Sequence, residues 1–150
     1  MARRLSNERI VFLVGFDSPT AGEMKTLRDY RARGGKLVVF HSASAQLGEL
    51  MGVKSVGYKV ASYPGQWSRM NFTSKAPSGA PTSILQTSSV LQRAVPIAGK
   101  SHVMATWADR SGKATGDAAW LCSDAGWWMT HVLLADGDEA LKARDRKSVV

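Results

Sequence analysis

Two polar side chains suited to acid–base chemistry stand just beyond two predicted strands. Asp17 follows the apolar run 10–14, and His41 follows the apolar run 36–40. The stretch between the runs predicts a helix, so the three elements form a strand–helix–strand unit with parallel strands. The carboxyl ends of such strands meet at one edge of the sheet, where open α/β sheets bind ligands. The spacing therefore predicts a pocket lined by Asp17 and His41, although Asp17 is equally suited to a turn.

Two serines lie beyond the second of these strands. Ser42 and Ser44 precede a predicted short helix, Ala45 to Met51, and a serine hydroxyl at that place can accept a hydrogen bond from a free helical N–H group. Ser44 also lies close enough to His41 in sequence to count as a candidate ligand contact. Capping of the helix and contact with a ligand both remain open for these serines.

Tryptophan is the most distinctive apolar residue of the chain. Its side chain offers a large flat face to a sugar ring, and it also fills protein cores and interfaces. The five tryptophans are Trp67, Trp107, Trp120, Trp127 and Trp128. Trp67 ends a Pro-Gly-Gln-Trp sequence typical of a loop. We therefore take Trp67 as the candidate surface contact for a carbohydrate, with core packing as the alternative.

No motif for a metal or a phosphate group is present. His41, His102 and His131 are scattered, Cys122 is the only cysteine, and no His-Glu-x-x-His sequence occurs. Gly34-Gly35 precedes a strand, whereas a phosphate-binding loop opens a helix. We predict no metal, no cofactor and no disulfide within the chain.

The remaining pattern predicts an α/β fold that changes character along the chain. The first helix is capped either by Ser18, with Pro19 at its first position, or by Thr20 in a capping box with Glu23. From His102 onward, short strands separated by turns predict an antiparallel β meander, followed by a helix over 136–146. A parallel sheet needs neighbours on both sides. Since only nine residues precede the first strand, we expect a flavodoxin-like parallel sheet that is N-terminally incomplete, with the meander at its C-terminal end.

The domain reading is a single, partial domain over 1–150, with flexible tails at 1–9 and 147–150. Much of the net charge of +8 lies near the ends, with three arginines against one glutamate in 1–9 and four basic residues against one aspartate in 142–147. This distribution disfavours nucleic-acid binding, which would need a basic patch on the body. No apolar run is long enough for a membrane span, and no signal peptide is recognisable, so the compartment stays unknown.

The segment 27–40, a helix followed by Gly-Gly and an apolar strand, resembles the class I glutamine amidotransferase-like superfamily. The turn and helix over 42–53 and the late hairpin over 119–131 extend the resemblance to about Ile10 to Ala140. The chain is most similar to the amidotransferase-like domains attached to bacterial glycoside hydrolases, such as the β-galactosidase trimerisation domain and domains found with family 10-like glycosyl hydrolases. The resemblance implies a domain of a carbohydrate-active multidomain protein.

In active members of that superfamily, a cysteine on a sharp turn is activated by a late histidine with an acid two positions beyond. Matching Gln46 to the glutamine after the family's turn places Ser42 at the nucleophile and His131 at the histidine, with Leu133 where the acid belongs. Cys122 falls in another predicted strand and cannot substitute. The resemblance therefore implies a degenerate triad and argues against glutaminase chemistry.

Three functions follow as hypotheses. The first is a noncatalytic amidotransferase-like domain of a carbohydrate-active protein, acting in assembly or in binding of a carbohydrate or other small ligand. The second is a small hydrolase that uses Ser42 and His131, for which the alternative is a helix-capping serine and a histidine bonded within the sheet. The third is a basic nucleic-acid-binding module, which rests on charge alone. We also expect the chain to contact other domains of a parent protein or to form homo-oligomers.

Overall fold

The computed structural model describes Leu5 and residues 8–133. Two helices and nine strands lie in this part of the chain. The helices are α1 (Ala21–Ala32) and α2 (Ala45–Met51). The strands are β1 (Ile10–Val14), β2 (Lys36–Phe40), β3 (Val53–Val60), β4 (Trp67–Phe72), β5 (Ser83–Ser88), β6 (Val90–Pro96), β7 (Ser101–Ala108), β8 (Ala114–Ser123) and β9 (Gly126–Met129).

Most of the strands belong to one mixed sheet in the order β1-β2-β9-β8-β7-β4-β5. Only β1, β2 and β9 run parallel to one another, and every other pairing in the sheet is antiparallel. β3 and β6 form a separate antiparallel ribbon. The expected flavodoxin-like parallel sheet is therefore not confirmed. Beyond β9 in the sheet order lie β8 and β7, which are joined to β9 and to each other by short turns that only antiparallel pairs allow, and then β4 and β5.

The expected late meander is present as β7, β8 and β9. β9 also pairs with β2 in parallel, so the last strand of the meander lies in the middle of the sheet. The predicted helix over 136–146 and the predicted tail over 147–150 lie outside the described residues, as does most of the tail over 1–9.

Local signals determine where α1 begins and ends. Of the two predicted caps, the structure has Thr20, whose hydroxyl accepts from the Glu23 N–H while the Glu23 carboxylate accepts from the Thr20 N–H. Gly35 passes so close to the Tyr30 ring that a Cβ there would lie 2.2 Å from it. The Gly-Gly segment is thus needed to bring β2 back under the helix.

The core consists of two apolar layers, one on each face of the sheet. α1 and α2 cover one face, where Met24, Leu27 and Leu47 pack against Leu37 and Val39. The other layer is rich in tryptophan and methionine, and its largest members include Trp67, Trp107, Trp120 and Met70. This second layer leaves β1 uncovered among the described residues, since Phe12 is 59% exposed and Val14 is 64% exposed. Within the described ranges, neither helix has the length and hydropathy that crossing a bilayer requires.

Candidate functional site

The carboxyl ends of β1, β2 and β9 meet at one edge of the sheet, as the pattern of the first two strands predicts. Asp17 lies beyond β1, His41 directly follows β2, and Thr130 and His131 directly follow β9. We refer to the place where these ends converge as the crevice. The sequence places Asp17 and His41 there, and the parallel pairing of β9 adds His131.

His41 has a backbone conformation that is rare for a residue with a side chain. Its φ is +49°, and no other non-glycine residue in the described part of the chain has a positive φ. Such a conformation costs about 1 kcal/mol or more and is found most often at functional sites. The backbone N–H of His41 donates to the Met129 carbonyl at 3.0 Å, which holds the turn against the end of β9.

The rings of His41 and His131 lie next to each other. Their centroids are 5.5 Å apart and their planes are inclined by 80°. Nδ1 of His41 lies 3.4 Å from the Thr130 carbonyl oxygen, and Nδ1 of His131 lies 2.9 Å from the Val132 carbonyl oxygen. A carbonyl oxygen can only accept, so in each neutral ring the proton belongs on Nδ1 and the lone pair on Nε2. The Nδ1–H tautomer is therefore the one that lets each ring donate to these carbonyls, through a long contact for His41 and a short one for His131.

Two glutamines hold that stretch of backbone in place. The Gln92 N–H donates to the Thr130 carbonyl at 3.0 Å, and Gln86 Nε2 donates to the Val132 carbonyl at 2.7 Å. Both glutamine side chains are buried. The sequence analysis missed these supporting residues, and no local signal marks them, because both bonds join strands distant in the chain.

Tyr58 of β3 is a second residue that the sequence analysis missed. Its ring centroid lies 6.4 Å from that of His41 with an interplanar angle of 85°, and the side chain is 59% exposed. His41 is thus placed between Tyr58 and His131. The alternation of Val56, Tyr58 and Val60, all exposed, is the pattern that could have identified this strand face.

The serines beside the crevice are used in local structure. Ser42 Oγ donates to the Phe16 carbonyl at 2.8 Å and accepts from the Ser44 N–H at 3.2 Å. Ser44 Oγ accepts from the Leu47 N–H at 3.2 Å and caps α2. Asp17 accepts from the Ala43 N–H at 2.6 Å. These bonds fasten the end of β1 to the start of α2, so the serines and Asp17 shape the crevice. Catalysis by Ser42 and His131 stays a prediction.

Trp67 is not at the surface, so its predicted position in an exposed loop is wrong. It is the first residue of β4 and is fully buried, with Nε1 donating to the Asp117 carboxylate at 3.0 Å. The Pro-Gly sequence before it does form the turn, and the strand begins immediately at the tryptophan. A buried indole offers no face to a ligand.

An apolar groove adjoins the crevice on the sheet face that the helices leave uncovered. Its volume is about 370 Å³, and its lining consists of Phe12, Val14, Phe40, Val132 and Leu133. The rings of Phe12 and Phe40 stack at 6.3 Å with an interplanar angle of 12°. Phe40 precedes His41 and Val132 follows His131 in the chain, whereas neither imidazole lines the groove itself.

Outside the crevice, the further candidate sites among the described residues are groups of metal ligands and the cysteine. Across the described residues, no three side chains of histidine, cysteine, aspartate or glutamate are grouped so as to hold a metal ion. Burial raises the pKa of the Cys122 thiol, which lowers the fraction of the nucleophilic thiolate.

Comparison with known proteins finds similar folds but no match by sequence. No family model matches the chain, and no curated protein matches it. The fold is similar to part of the β-galactosidase from Bacillus circulans sp. alkalophilus, with a TM-score of 0.66 and 13% identity over 97% of this chain. It is similar to part of the cold-adapted β-galactosidase from Rahnella sp. R3, with a TM-score of 0.68 and 11% identity over 93% of this chain. The chain spans 24% and 22% of those two proteins.

A third similar structure is a ThuA-like protein from Bacteroides uniformis. Its TM-score is 0.68 at 15% identity, and the match covers 99% of this chain and 72% of that protein. At these identities the three likenesses establish the fold alone. The superfamily that the sequence resembles therefore stays a proposal.

Proposed function

We propose that this chain is a noncatalytic, amidotransferase-like domain of a carbohydrate-active multidomain protein. The hydrogen bonding of Ser42 carries the noncatalytic part of the proposal. Its single hydroxyl proton is donated to the Phe16 carbonyl at 2.8 Å, so the proton faces a backbone acceptor and not a general base. The fold match to about a quarter of two β-galactosidases supports the carbohydrate-active context.

The residue at the position of the triad acid also supports a noncatalytic role. In a working triad, an acid two positions beyond the histidine would orient the imidazole. Here that residue is Leu133, which lines the apolar groove. Backbone carbonyls orient the histidines instead, and a carbonyl carries no full charge to stabilise an imidazolium. The arrangement suits binding better than acyl transfer.

We expect Ser42 to be unreactive toward a fluorophosphonate probe. The wild-type chain should show no labelling at Ser42 and no hydrolysis of glutamine or p-nitrophenyl esters above the buffer rate. Ser42→Ala should lower the free energy of unfolding by about 1–2 kcal/mol, because the Phe16 carbonyl and the Ser44 N–H lose their partner. Mass spectrometry of the labelled protein and urea unfolding measure the two effects.

Ser44→Ala is the matched control for this experiment. It removes the α2 cap at a similar cost of about 0.5–2 kcal/mol and leaves the Ser42 hydroxyl in place. Probe labelling that disappears in Ser42→Ala and persists in Ser44→Ala would overturn the noncatalytic role and establish the hydrolase instead.

For assembly, we propose that β1 pairs with β1 of a second copy. β1 is the edge of the seven-stranded sheet in the described part of the chain. The Arg9 carbonyl and the Gly15 N–H face β2, so by alternation the backbone groups of Phe12 and Val14 face outward. Open edges of this kind pair with other strands. An antiparallel, two-fold arrangement centred on Phe12 places Ile10 of each copy opposite Val14 of the other.

We expect Phe12→Lys to weaken self-association by at least about tenfold in Kd, because a charge on an edge strand opposes pairing. Leu85→Lys is the matched control, since Leu85 is 45% exposed on β5 at the opposite edge of the same sheet. Sedimentation equilibrium over a concentration series distinguishes the two variants. A wild-type chain that stays monomeric at every concentration would contradict the pairing and indicate that another part of the protein covers β1.

A further inference from the structure

We infer that the crevice around His41 binds a small neutral sugar, with His41 as the hydrogen-bond acceptor and Tyr58 as the stacking surface. The backbone of His41 is the first reason. The turn after β2 requires a positive φ, and glycine would adopt it without strain. A strained, half-buried histidine at the carboxyl end of the parallel strands is explained by what its ring does in the crevice.

The hydrogen-bonding capacity of His41 is the second reason. With Nδ1 directed at the Thr130 carbonyl, the neutral ring presents the lone pair of Nε2. A lone pair held in one direction accepts a hydrogen bond from a hydroxyl group. The Gln92 N–H fixes the Thr130 carbonyl at 3.0 Å, so the acceptor direction is set before any ligand arrives.

The surfaces on either side of His41 are the third reason. Tyr58 stands on one side of His41 with a ring that is 59% exposed, His131 stands on the other, and the sequence neighbours Phe40 and Val132 line the apolar groove. A pyranose has a C–H face suited to such surfaces and a hydroxyl edge suited to the imidazole.

The charges near the crevice favour a neutral ligand. The carboxylate of Asp17 is bonded to the Ala43 N–H, and Lys59, next to Tyr58 in β3, lies 3.8 Å from the Asp117 carboxylate. No cation of the described residues lines the groove. Asp17 and Lys59 thus both have partners within the chain, so neither is dedicated to a charged ligand. The choice of a sugar among neutral ligands rests on the proposed carbohydrate-active context.

The test is a titration of the full chain with galactose, glucose and lactose, followed by the histidine ring signals in two-dimensional NMR. Sorbitol serves as the acyclic control. We expect at least one of the sugars to shift the Nε2 signal of His41 saturably, while the Nδ1-protonated tautomer persists and sorbitol has no effect.

Three variants make the result specific. His41→Gly should weaken binding by at least about tenfold, the loss expected for one good hydrogen bond. It should melt within a few degrees of wild type or higher, because glycine relieves the positive φ. Tyr58→Ala should weaken binding similarly without disturbing the fold. His102→Ala, in β7 opposite Cys122 of β8 and away from the crevice, should bind like wild type.

Retained binding in His41→Gly, or no shift with any of the three sugars at the highest soluble concentration, would overturn the inference. The noncatalytic role is decided separately by labelling of Ser42. Failure of sugar binding with an unreactive Ser42 therefore refutes this inference alone, and labelling of Ser42 refutes the proposed function alone.

Discussion

Replacing Asp117 with alanine is expected to lower the free energy of unfolding by about 3–4 kcal/mol. Asp117 of β8 is only 4% exposed. Its carboxylate accepts from Trp67 Nε1 at 3.0 Å and from Arg93 Nε at 2.7 Å. Lys59 Nζ lies 3.8 Å away. The variant leaves a fully buried indole N–H without an acceptor and a guanidinium without its counter-charge.

The loss should exceed that of an ordinary ion pair because Asp117 joins separate parts of the fold. Trp67 belongs to the large sheet, whereas Arg93 and Lys59 belong to the β6 and β3 strands of the separate ribbon. The carboxylate is thus a fixed point between the two sheets. Since the ribbon carries Tyr58, loss of this point should also loosen one wall of the crevice.

Urea unfolding followed by tryptophan fluorescence measures the effect. Asp117→Asn keeps an oxygen acceptor and should fall between wild type and alanine. Asp29→Ala is the control, because the exposed Lys25–Asp29 pair on α1, at 2.7 Å, should contribute no more than about 0.5 kcal/mol. An alanine variant at Asp117 that is as stable as the one at Asp29 would show that the buried carboxylate is dispensable.

The Asp117 cluster also shows where prediction from sequence stops. The α1 helix is predictable because its cap, its buried face and its Gly-Gly end are all set within a few residues. The Trp67–Asp117 bond joins residues fifty positions apart. The Pro-Gly-Gln sequence correctly predicts a turn, but it carries no information on whether the next indole is buried. Its burial depends on contacts with residues distant in the chain, among them Ser88 of β5 and Asp117 of β8.

The crevice likewise contains some residues whose positions the sequence predicts and others whose positions it does not. Asp17 and His41 are predictable as neighbours because a strand–helix–strand unit places both strand ends at one edge. His131 reaches them through the parallel pairing of β9 with β2, a contact across most of the chain that only the resemblance to a known superfamily anticipated. Tyr58 lies on the β3–β6 ribbon, which is separate from the sheet that contains β2 and β9. The place of Ser42 and Ser44 before α2 predicts a helix cap, and Ser44 is that cap.

The second prediction concerns that parallel junction: Gly126→Ala is expected to cost about 4 kcal/mol or to prevent folding. Gly126 has a φ of +131°, and a Cβ there would lie 2.0 Å from the Leu37 carbonyl oxygen. Both problems involve backbone, which cannot move aside as a flexible side chain can. The Leu37 N–H bonds the Ala125 carbonyl at 2.9 Å, so the approach of the two strands is fixed at this point.

Gly112→Ala is the control that separates the cost of backbone strain from the cost of a steric clash. Gly112 has a φ of +89° in a turn, and open space surrounds the position of its Cβ. It should cost about 1–2 kcal/mol from conformation alone. Thermal unfolding monitored by circular dichroism compares the two variants, and equal losses would mean that β9 does not approach β2 as closely as described.

The consequence of Gly126→Ala for the crevice is as informative as its stability. The residues after β9 supply the Thr130 and Val132 carbonyls that orient both imidazoles. If a folded fraction of the variant survives, β9 must have moved from β2, and the His41 ring should lose its fixed tautomer in the NMR spectrum. The His41 ring would then lose its fixed orientation. The absence of a side chain at Gly126 is what allows β9 to pair in parallel with β2.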